Sequence, residues 1–220
     1  MLTLFDHPRS GNCYKVRLFC ALADIPYRSV FVDVPARKNR SAEFEAINPF
    51  CQVPAVLDGD EAIWDSQAIL MHLARRHAQQ WMPTPDSVDF SHMHQWLSVS
   101  SNEIANSLQP LRLVHVVGVE EAAHHLGVSV DKFDLEGCLA RSHRLLRCMN
   151  KHLTDRFWLA GKTPTIADIA CHGYLSRTHE MQLDMSGYPA VQAWNARLRD
   201  LPGYLSMEAS ARPIRTDGSI

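Results

Sequence analysis

Apolar positions near the start of the chain follow two different periods. Residues 2–5 form an apolar run that stops at Asp6, and valines alternate with other residues over 30–34, as in a strand with one face on a core. Between them, residues 10–12 supply turn and capping residue types, and apolar residues then recur at helical spacing as far as Ala23. The pattern predicts a strand, a helix and a second strand, which together form a βαβ unit.

The segment that follows indicates an antiparallel arrangement. A short helix is predicted around Phe44. Residues 53–57 and 62–64 are apolar and flank an Asp-Gly-Asp turn at 58–60, which predicts a hairpin. A further helix follows and ends in the basic residues 75–77, as the helix dipole favours. The predicted element order of this α/β domain is β-α-β-α-β-β-α.

The hydrophobic pattern changes after Pro83 and Pro85, which interrupt the periodicity. Beyond them the pattern is helical with almost no alternation. We therefore predict an α/β domain over 1–80, a linker over 81–87 and an all-helical domain over 88–220.

Two features of the helical domain stand out. Residues 165–168, with Thr165 and Asp168 at the ends, have the form of a capping box that opens an apolar stretch over 169–175, so a buried helix is predicted there. Residues 209–220 carry no periodicity, and we expect a mobile tail or a lid.

Composition and charge exclude several classes of function. Apolar residues make up 46% and charged residues 21%, which is ordinary globular composition. The net charge of −2 and the lack of a Lys/Arg-rich run make nucleic acid an unexpected partner. Asp6 and Pro8 interrupt any signal peptide, and no apolar run approaches the ~18 residues of a membrane span. These observations predict a soluble cytoplasmic protein with no membrane association.

Cysteine and histidine positions do not indicate a metal site. The six cysteines are scattered, without a C-x-x-C pair, and several lie in apolar helical patterns where buried free thiols are common. The twelve histidines lack the spacing of known metal ligands. We therefore expect no metal cofactor.

Several segments together resemble the cytosolic glutathione S-transferase family. In the first domain they are residues 10–15 (SGNCYK), 48–54 (NPFCQVP) and 65–69 (DSQAI), and in the second domain 165–168 (TIAD) and 188–194 (YPAVQAW). The resemblance covers nearly the whole chain, and the Ser-Gly-Asn sequence is most similar to the serine-type bacterial, theta and phi groups. It implies a thioredoxin-like first domain that binds glutathione, a helical second domain, an electrophilic co-substrate between the two domains, and a homodimer.

The resemblance assigns residues to the two ends of glutathione. Pro54 resembles the cis-proline of thioredoxin-like folds, and Val53 before it would pair with the cysteinyl main chain as an added strand does. Asp65 and Ser66 begin a helix, where the dipole and the free N–H groups suit the γ-glutamyl carboxylate, with Asp65 near the ammonium group. The alternative is that both residues only cap the helix.

The glycyl end requires a cation, and residues 37–41 supply three. Arg40 matches the family position best, with Gln52 assisting. Asn39 stands where phi relatives carry histidine, which is a departure from the family pattern. The alternative is that this charged loop is simply solvated.

Catalysis requires glutathione as its thiolate, because the thiolate is the nucleophile. Ser10 is the predicted donor to sulfur at the start of a helix, and Asn12 is the substitute donor. The alternative is that Ser10 is only the N-cap. Cys13 completes a C-x-x-C frame whose first cysteine is replaced by Ser10, and Cys51 replaces a residue that is commonly glycine in relatives; it is expected to be a packing residue.

Three hypotheses remain open from the sequence. The leading one is a detoxifying transferase that activates glutathione for attack on a small, hydrophobic electrophile. The second is a glutathione-dependent disulfide or peroxide reductase, or an isomerase, on the same fold. The third is a transferase-like binding protein without catalysis.

Overall fold

The computed structural model describes residues 1–211. They form two compact units, one comprising residues 1–82 together with the segment from Arg199 onward, and the other comprising residues 83–198. No helix in this described part of the chain is long and apolar enough to cross a membrane.

The first unit has the predicted element order. Its elements are β1 (Leu2–Asp6), α1 (Gly11–Leu22), β2 (Tyr27–Phe31), a 3-10 helix (Lys38–Arg40), α2 (Ala42–Glu45), β3 (Ala55–Asp58), β4 (Glu61–Trp64), α3 (Ser66–His77) and a 3-10 helix (Gln79–Trp81). The four strands form one sheet in the order β2-β1-β3-β4. β1 is parallel to β2 and antiparallel to β3, and β3 is antiparallel to β4. This mixed sheet with its helices confirms the predicted thioredoxin-like α/β fold.

The sheet is centred on β1, whose five residues are all buried. On one face Phe5 packs edge-on against Phe44 of α2, with ring centroids 5.8 Å apart, and the buried valines 30 and 32 join this cluster. β2 begins earlier than the alternating valines predicted, because β1 pairs with it from Tyr27 onward. The loop after β1 carries Ser10, and the loop before β3 carries Gln52, Val53 and Pro54, so this sheet positions four of the predicted site residues.

The C-terminal segment corrects the predicted domain division. Residues from Arg199 were expected in the helical domain, yet they belong to the first unit. The buried Tyr14 hydroxyl of α1 donates to the Leu205 carbonyl oxygen at 2.9 Å. Gly203 has a φ of +84°, and a Cβ at this position would lie 2.9 Å from the Ala21 carbonyl oxygen. Because Gly203 has no side chain, the C-terminal segment can approach α1 closely. Hydrophobic periodicity does not reveal this contact.

Part of the predicted mobile tail is helical. Met207–Ser210 form a short helix, α10, which Ser206 caps by accepting a hydrogen bond from the Ala209 N–H. The remainder of that prediction, residues 212–220, lies outside the described residues.

The second unit is helical, as predicted. Its helices are α4 (Val88–Val99), which continues into a π-helical turn (Ser100–Ile104), α5 (Leu108–Val117), α6 (Val119–Leu126), a 3-10 helix (Val130–Lys132), α7 (Leu135–Leu153), α8 (Ile166–Leu175), a 3-10 helix (Thr178–Met181) and α9 (Pro189–Arg199). α8 is buried at all ten positions.

The predicted capping box at the start of α8 is confirmed. The fully buried Asp168 carboxylate accepts hydrogen bonds from the main chain of Thr165 and Leu159 and from the Trp194 indole, at 2.8, 3.0 and 2.8 Å. Burial raises the pKa of Asp168, against the effect of these donors. The network joins α8 to α9 and to the loop that precedes α8.

A second charged cluster in this unit joins α5 to the 3-10 helix at 178–181. The Glu180 carboxylate forms ion pairs with Arg112 and with Arg177. Burial alone would raise the pKa of Glu180, but the two guanidinium groups outweigh it and lower the pKa to about 2. The ionised form is therefore strongly preferred in the folded protein.

We predict that Glu180→Gln lowers the free energy of unfolding by about 2 kcal/mol at pH 7. This is less than the difference between the folded and ordinary pKa values implies, because the carboxylate is partly solvated. The folded pKa lies below the ordinary value of 4.5, so this stabilisation is present above pH 4.5 and is lost as the pH falls toward 2. Urea unfolding of both proteins across this pH range measures the difference.

The control is Glu121→Gln, since Glu121 is exposed on α6. It should leave unfolding nearly unchanged at every pH. A Glu180→Gln effect that stays constant down to pH 3 would contradict the assignment.

Candidate active site

A pocket of about 170 Å³ lies in the first unit, where the loop before β3, the end of β4 and the first turns of α1 and α3 meet. Its walls are formed by Asn12, Asn48, Phe50, Gln52, Val53, Pro54, Trp64, Asp65 and Ser66. Every predicted site residue except Ser10 and Arg40 is in this set. The structure therefore brings together segments that are more than fifty residues apart in the chain.

The segment before β3 presents its main chain to the pocket. The Val53–Pro54 peptide bond is cis, as the resemblance implied. Pairing of β3 with β1 and β4 begins only at Ala55. Within residues 1–211, no hydrogen bond to the main chain of Val53 is formed. An extended peptide could pair with these free groups as an added strand.

Asn48 holds this segment in place. It is only 2% exposed, and its side-chain amide donates to the Gln52 carbonyl oxygen at 2.6 Å and accepts from the Phe50 N–H at 3.0 Å. The Cys51 N–H donates to the Asn48 carbonyl oxygen at 2.8 Å. Asn48 is not among the predicted site residues, because its hydrogen-bond partners are defined by the folded loop.

The start of α3 forms the opposite wall. Asp65 caps this helix, its carboxylate accepting from the N–H groups of Gln67 and Ala68 at 2.9 and 3.1 Å. Its main chain has φ 72° and ψ 129°, a conformation that is costly for any residue except glycine and that is found mainly at functional sites. Ser66 is 3% exposed, and its hydroxyl donates to the Gln67 side chain. Asp65 caps the helix and Ser66 begins it, and both also line the pocket. A capping role and a ligand-binding role are therefore compatible.

Two aromatic side chains form an exposed edge of the pocket. Phe50 is 65% and Trp64 38% exposed, and their ring centroids lie 5.1 Å apart. Neither was predicted as a site residue, because an apolar residue in a strand or loop reads as core from sequence alone. They give the pocket an apolar side facing its polar walls.

Ser10 is the N-cap of α1. Its hydroxyl oxygen accepts from the Cys13 N–H at 3.2 Å, and the side chain is half-buried. Because the hydroxyl oxygen is the acceptor in this bond, the bond does not use the hydroxyl hydrogen. Asn12, in the first turn of α1, is the residue of this loop that lines the pocket.

The two cysteines near the site differ in environment. Cys13 is fully buried, and burial raises the pKa of its thiol far above the ordinary value, so it does not supply a thiolate. Cys51 is half-buried with φ 54°, a left-handed conformation that suits glycine, and its carbonyl oxygen accepts from the Asn39 amide at 2.6 Å. All six cysteines are free thiols.

Arg40 is exposed at the end of the 3-10 helix and is not part of the pocket wall. Its role at the glycyl end of glutathione stays a prediction. No group of three His, Cys, Asp or Glu side chains within residues 1–211 has an arrangement that could hold a metal ion.

Comparisons with known proteins identify the family of the chain. The glutathione S-transferase N-terminal domain family matches residues 1–75, and the C-terminal domain family matches residues 132–197. The chain is 32% identical to a possible glutathione S-transferase from Rhodopseudomonas palustris, with a TM-score of 0.84 over 99% of this chain and 93% of that one. A glutathione S-transferase from Xanthobacter autotrophicus is 30% identical, with a TM-score of 0.80 over 95% and 98%.

Among curated proteins, the disulfide-bond oxidoreductase YfcG of Escherichia coli is 28% identical over 99% of this chain and 100% of its own length. The chain belongs to the glutathione S-transferase family.

We predict that Asn48→Ala weakens glutathione binding about tenfold, because the Gln52 carbonyl and the Phe50 N–H lose their partners and the main chain beside Val53 is no longer fixed. Calorimetric titration measures the affinity. The matched control is Asn106→Ala, whose exposed amide donates only within its own turn of the second unit. Equal affinities for the two variants would show that Asn48 does not organise the site.

Proposed function

We propose that this protein binds glutathione in the pocket of the first unit, stabilises its thiolate, and transfers the glutathionyl group, through a new bond at sulfur, to a small, hydrophobic electrophile. The observation that carries the proposal is the convergence of Asn12, Gln52, Val53, Asp65 and Ser66 on one pocket. Family membership supports it independently.

Glutathione is an extended tripeptide with a carboxylate at each end and a thiol at its centre. Its γ-glutamyl carboxylate meets the N–H groups and positive dipole end of α3 at Ser66, and its ammonium group meets the Asp65 carboxylate. The cysteinyl main chain pairs with Val53, whose N–H and C=O are available. Gln52 and Arg40 lie on the glycyl side.

Thiol activation is assigned to the start of α1. The Ser10 hydroxyl accepts from the Cys13 N–H and donates its own hydrogen to the glutathione sulfur. The thiol proton leaves to solvent. The sulfur lone pair then forms a bond to the electrophilic carbon, and the bonding pair of that carbon departs with a leaving group or moves onto a conjugated oxygen. Asn12 on the pocket wall supplies a second donor.

The proposal for the cellular setting is supported by the family resemblance and not by the pocket. We infer a cytoplasmic homodimer with a detoxifying role, free of nucleic-acid, membrane or metal partners. Sedimentation of the purified protein tests the dimer.

Disulfide reduction is a second candidate, favoured by the likeness to the Escherichia coli oxidoreductase. Cys13 is buried and Ser10 occupies the first position of its C-x-x-C frame, so bound glutathione must provide the attacking sulfur. Its thiolate would attack a disulfide, releasing one thiolate and forming a mixed disulfide. A second glutathione would then resolve the mixed disulfide to glutathione disulfide and the second thiol.

We predict that the pKa of the bound glutathione thiol lies well below the pKa of free glutathione. Ser10→Ala should raise the bound-thiol pKa by about one to two pH units, because a hydrogen bond to a charged group contributes about 1.5–3 kcal/mol. Ultraviolet titration of the thiolate at saturating protein measures this pKa. Ser10→Thr keeps the hydroxyl and should retain the low pKa.

Asn12→Ala tests the substitute donor in the same titration. The assignment to Ser10 is confirmed if the bound-thiol pKa in Asn12→Ala equals that of the unaltered protein while the pKa in Ser10→Ala is raised. The reverse result would transfer thiol activation to Asn12.

Absence of glutathione binding by the unaltered protein would favour a non-catalytic protein. Aryl halides, mixed disulfides and hydroperoxides offered in parallel distinguish transfer from reduction.

A further inference from the structure

Arg17 is a buried charge that the proposed chemistry does not use. It lies on α1, two turns beyond Ser10, and is only 1% exposed. Its guanidinium forms an ion pair with the Asp6 carboxylate at the end of β1. Burying a charged guanidinium is costly unless its N–H groups are all hydrogen-bonded, so we expect Arg17 to have further acceptors nearby.

The remaining contacts of Arg17 are to the loop between β1 and α1. It donates to the carbonyl oxygens of His7 and Pro8 at 3.3 and 3.0 Å. The same His7 carbonyl accepts the Ser10 N–H at 3.0 Å. One guanidinium therefore fixes three consecutive residues, and the loop they form leads directly to the predicted thiol-activating hydroxyl.

The C-terminal segment also contacts Arg17. The Arg17 Nε donates to the Ser210 hydroxyl oxygen of α10 at 3.1 Å. Tyr14, also on α1, is held by the same segment through Leu205. The arrangement of the loop is thus linked to a segment about two hundred residues further along the chain.

We propose that Arg17 is a positioning residue for thiol activation, which holds the His7–Ser10 loop through its main-chain carbonyls, and that Ser210 fixes the orientation of its guanidinium. The proposal rests on the proposed function, because it assigns a purpose to the fixed loop. A planar guanidinium spans the Asp6 carboxylate, two carbonyls and a hydroxyl together, whereas a lysine ammonium cannot reach all four.

The first test needs no ligand. Amide hydrogen exchange of Ser10 and Cys13 is measured by NMR in Arg17→Lys, Ser210→Ala and the control Arg28→Lys, an exposed arginine on β2. We expect exchange at both amides to be about tenfold faster in Arg17→Lys and about threefold faster in Ser210→Ala, with Arg28→Lys unchanged. Unchanged exchange in both test variants would overturn the proposal, and Ser210→Ala keeps the test valid should Arg17→Lys unfold.

The second test adds glutathione and separates this proposal from the proposed function. At fixed pH below the bound-thiol pKa, Arg17→Lys should hold about tenfold less thiolate than the unaltered protein, while its glutathione affinity changes less than threefold because Val53 and Ser66 are intact. Faster loop exchange with a normal thiolate fraction would overturn the role in activation. Failure of the unaltered protein to form thiolate would contradict the proposed function instead, while the exchange result would still decide whether Arg17 fixes the loop.

Discussion

The site depends on the main chain at Val53, which neighbouring hydrogen bonds hold in place but which forms no hydrogen bond of its own within residues 1–211. Main-chain N–H and C=O groups are strong hydrogen-bonding groups, which pair with protein, with water or with a ligand. Here β3 begins pairing at Ala55, and the Asn48 side chain fixes the preceding loop from inside. Val53 is therefore held in place with its N–H and C=O available. A main chain presented in this way has the groups that an extended peptide needs to pair as an added strand.

The pocket adds local electrostatics to this main-chain surface. The first turns of α1 and α3 both border it, through Asn12 and Ser66, so the positive ends of two helix dipoles contribute to the same space. The chain as a whole carries a net charge of −2. An anionic group in this pocket would therefore be attracted by the position of peptide groups and not by an excess of basic residues. The strained main chain of Asp65, with φ 72° and ψ 129°, directly precedes the first turn of α3.

Much of this could be predicted from the sequence. The two hydrophobic periods predicted the element order of the first unit, and the family segments that contain Pro54 and Asp65 line the pocket. The missed features depend on long-range contacts: the bonds of Asn48 within a folded loop, the burial of Arg17 among loop carbonyls, and the packing of the segment after Arg199 on α1. Periodicity records which residues are apolar, but it carries no information on which carbonyl a buried polar side chain will reach.

The most direct test of the central claim is an NMR titration of the protein with glutathione, following the Val53 and Ser66 amides. Main-chain capture predicts saturable shifts of both signals at low millimolar glutathione or below, with slowed exchange of the Val53 N–H. Amides that remain unperturbed while ligand binds elsewhere, or no saturation by ~10 mM, would contradict main-chain recognition in this pocket.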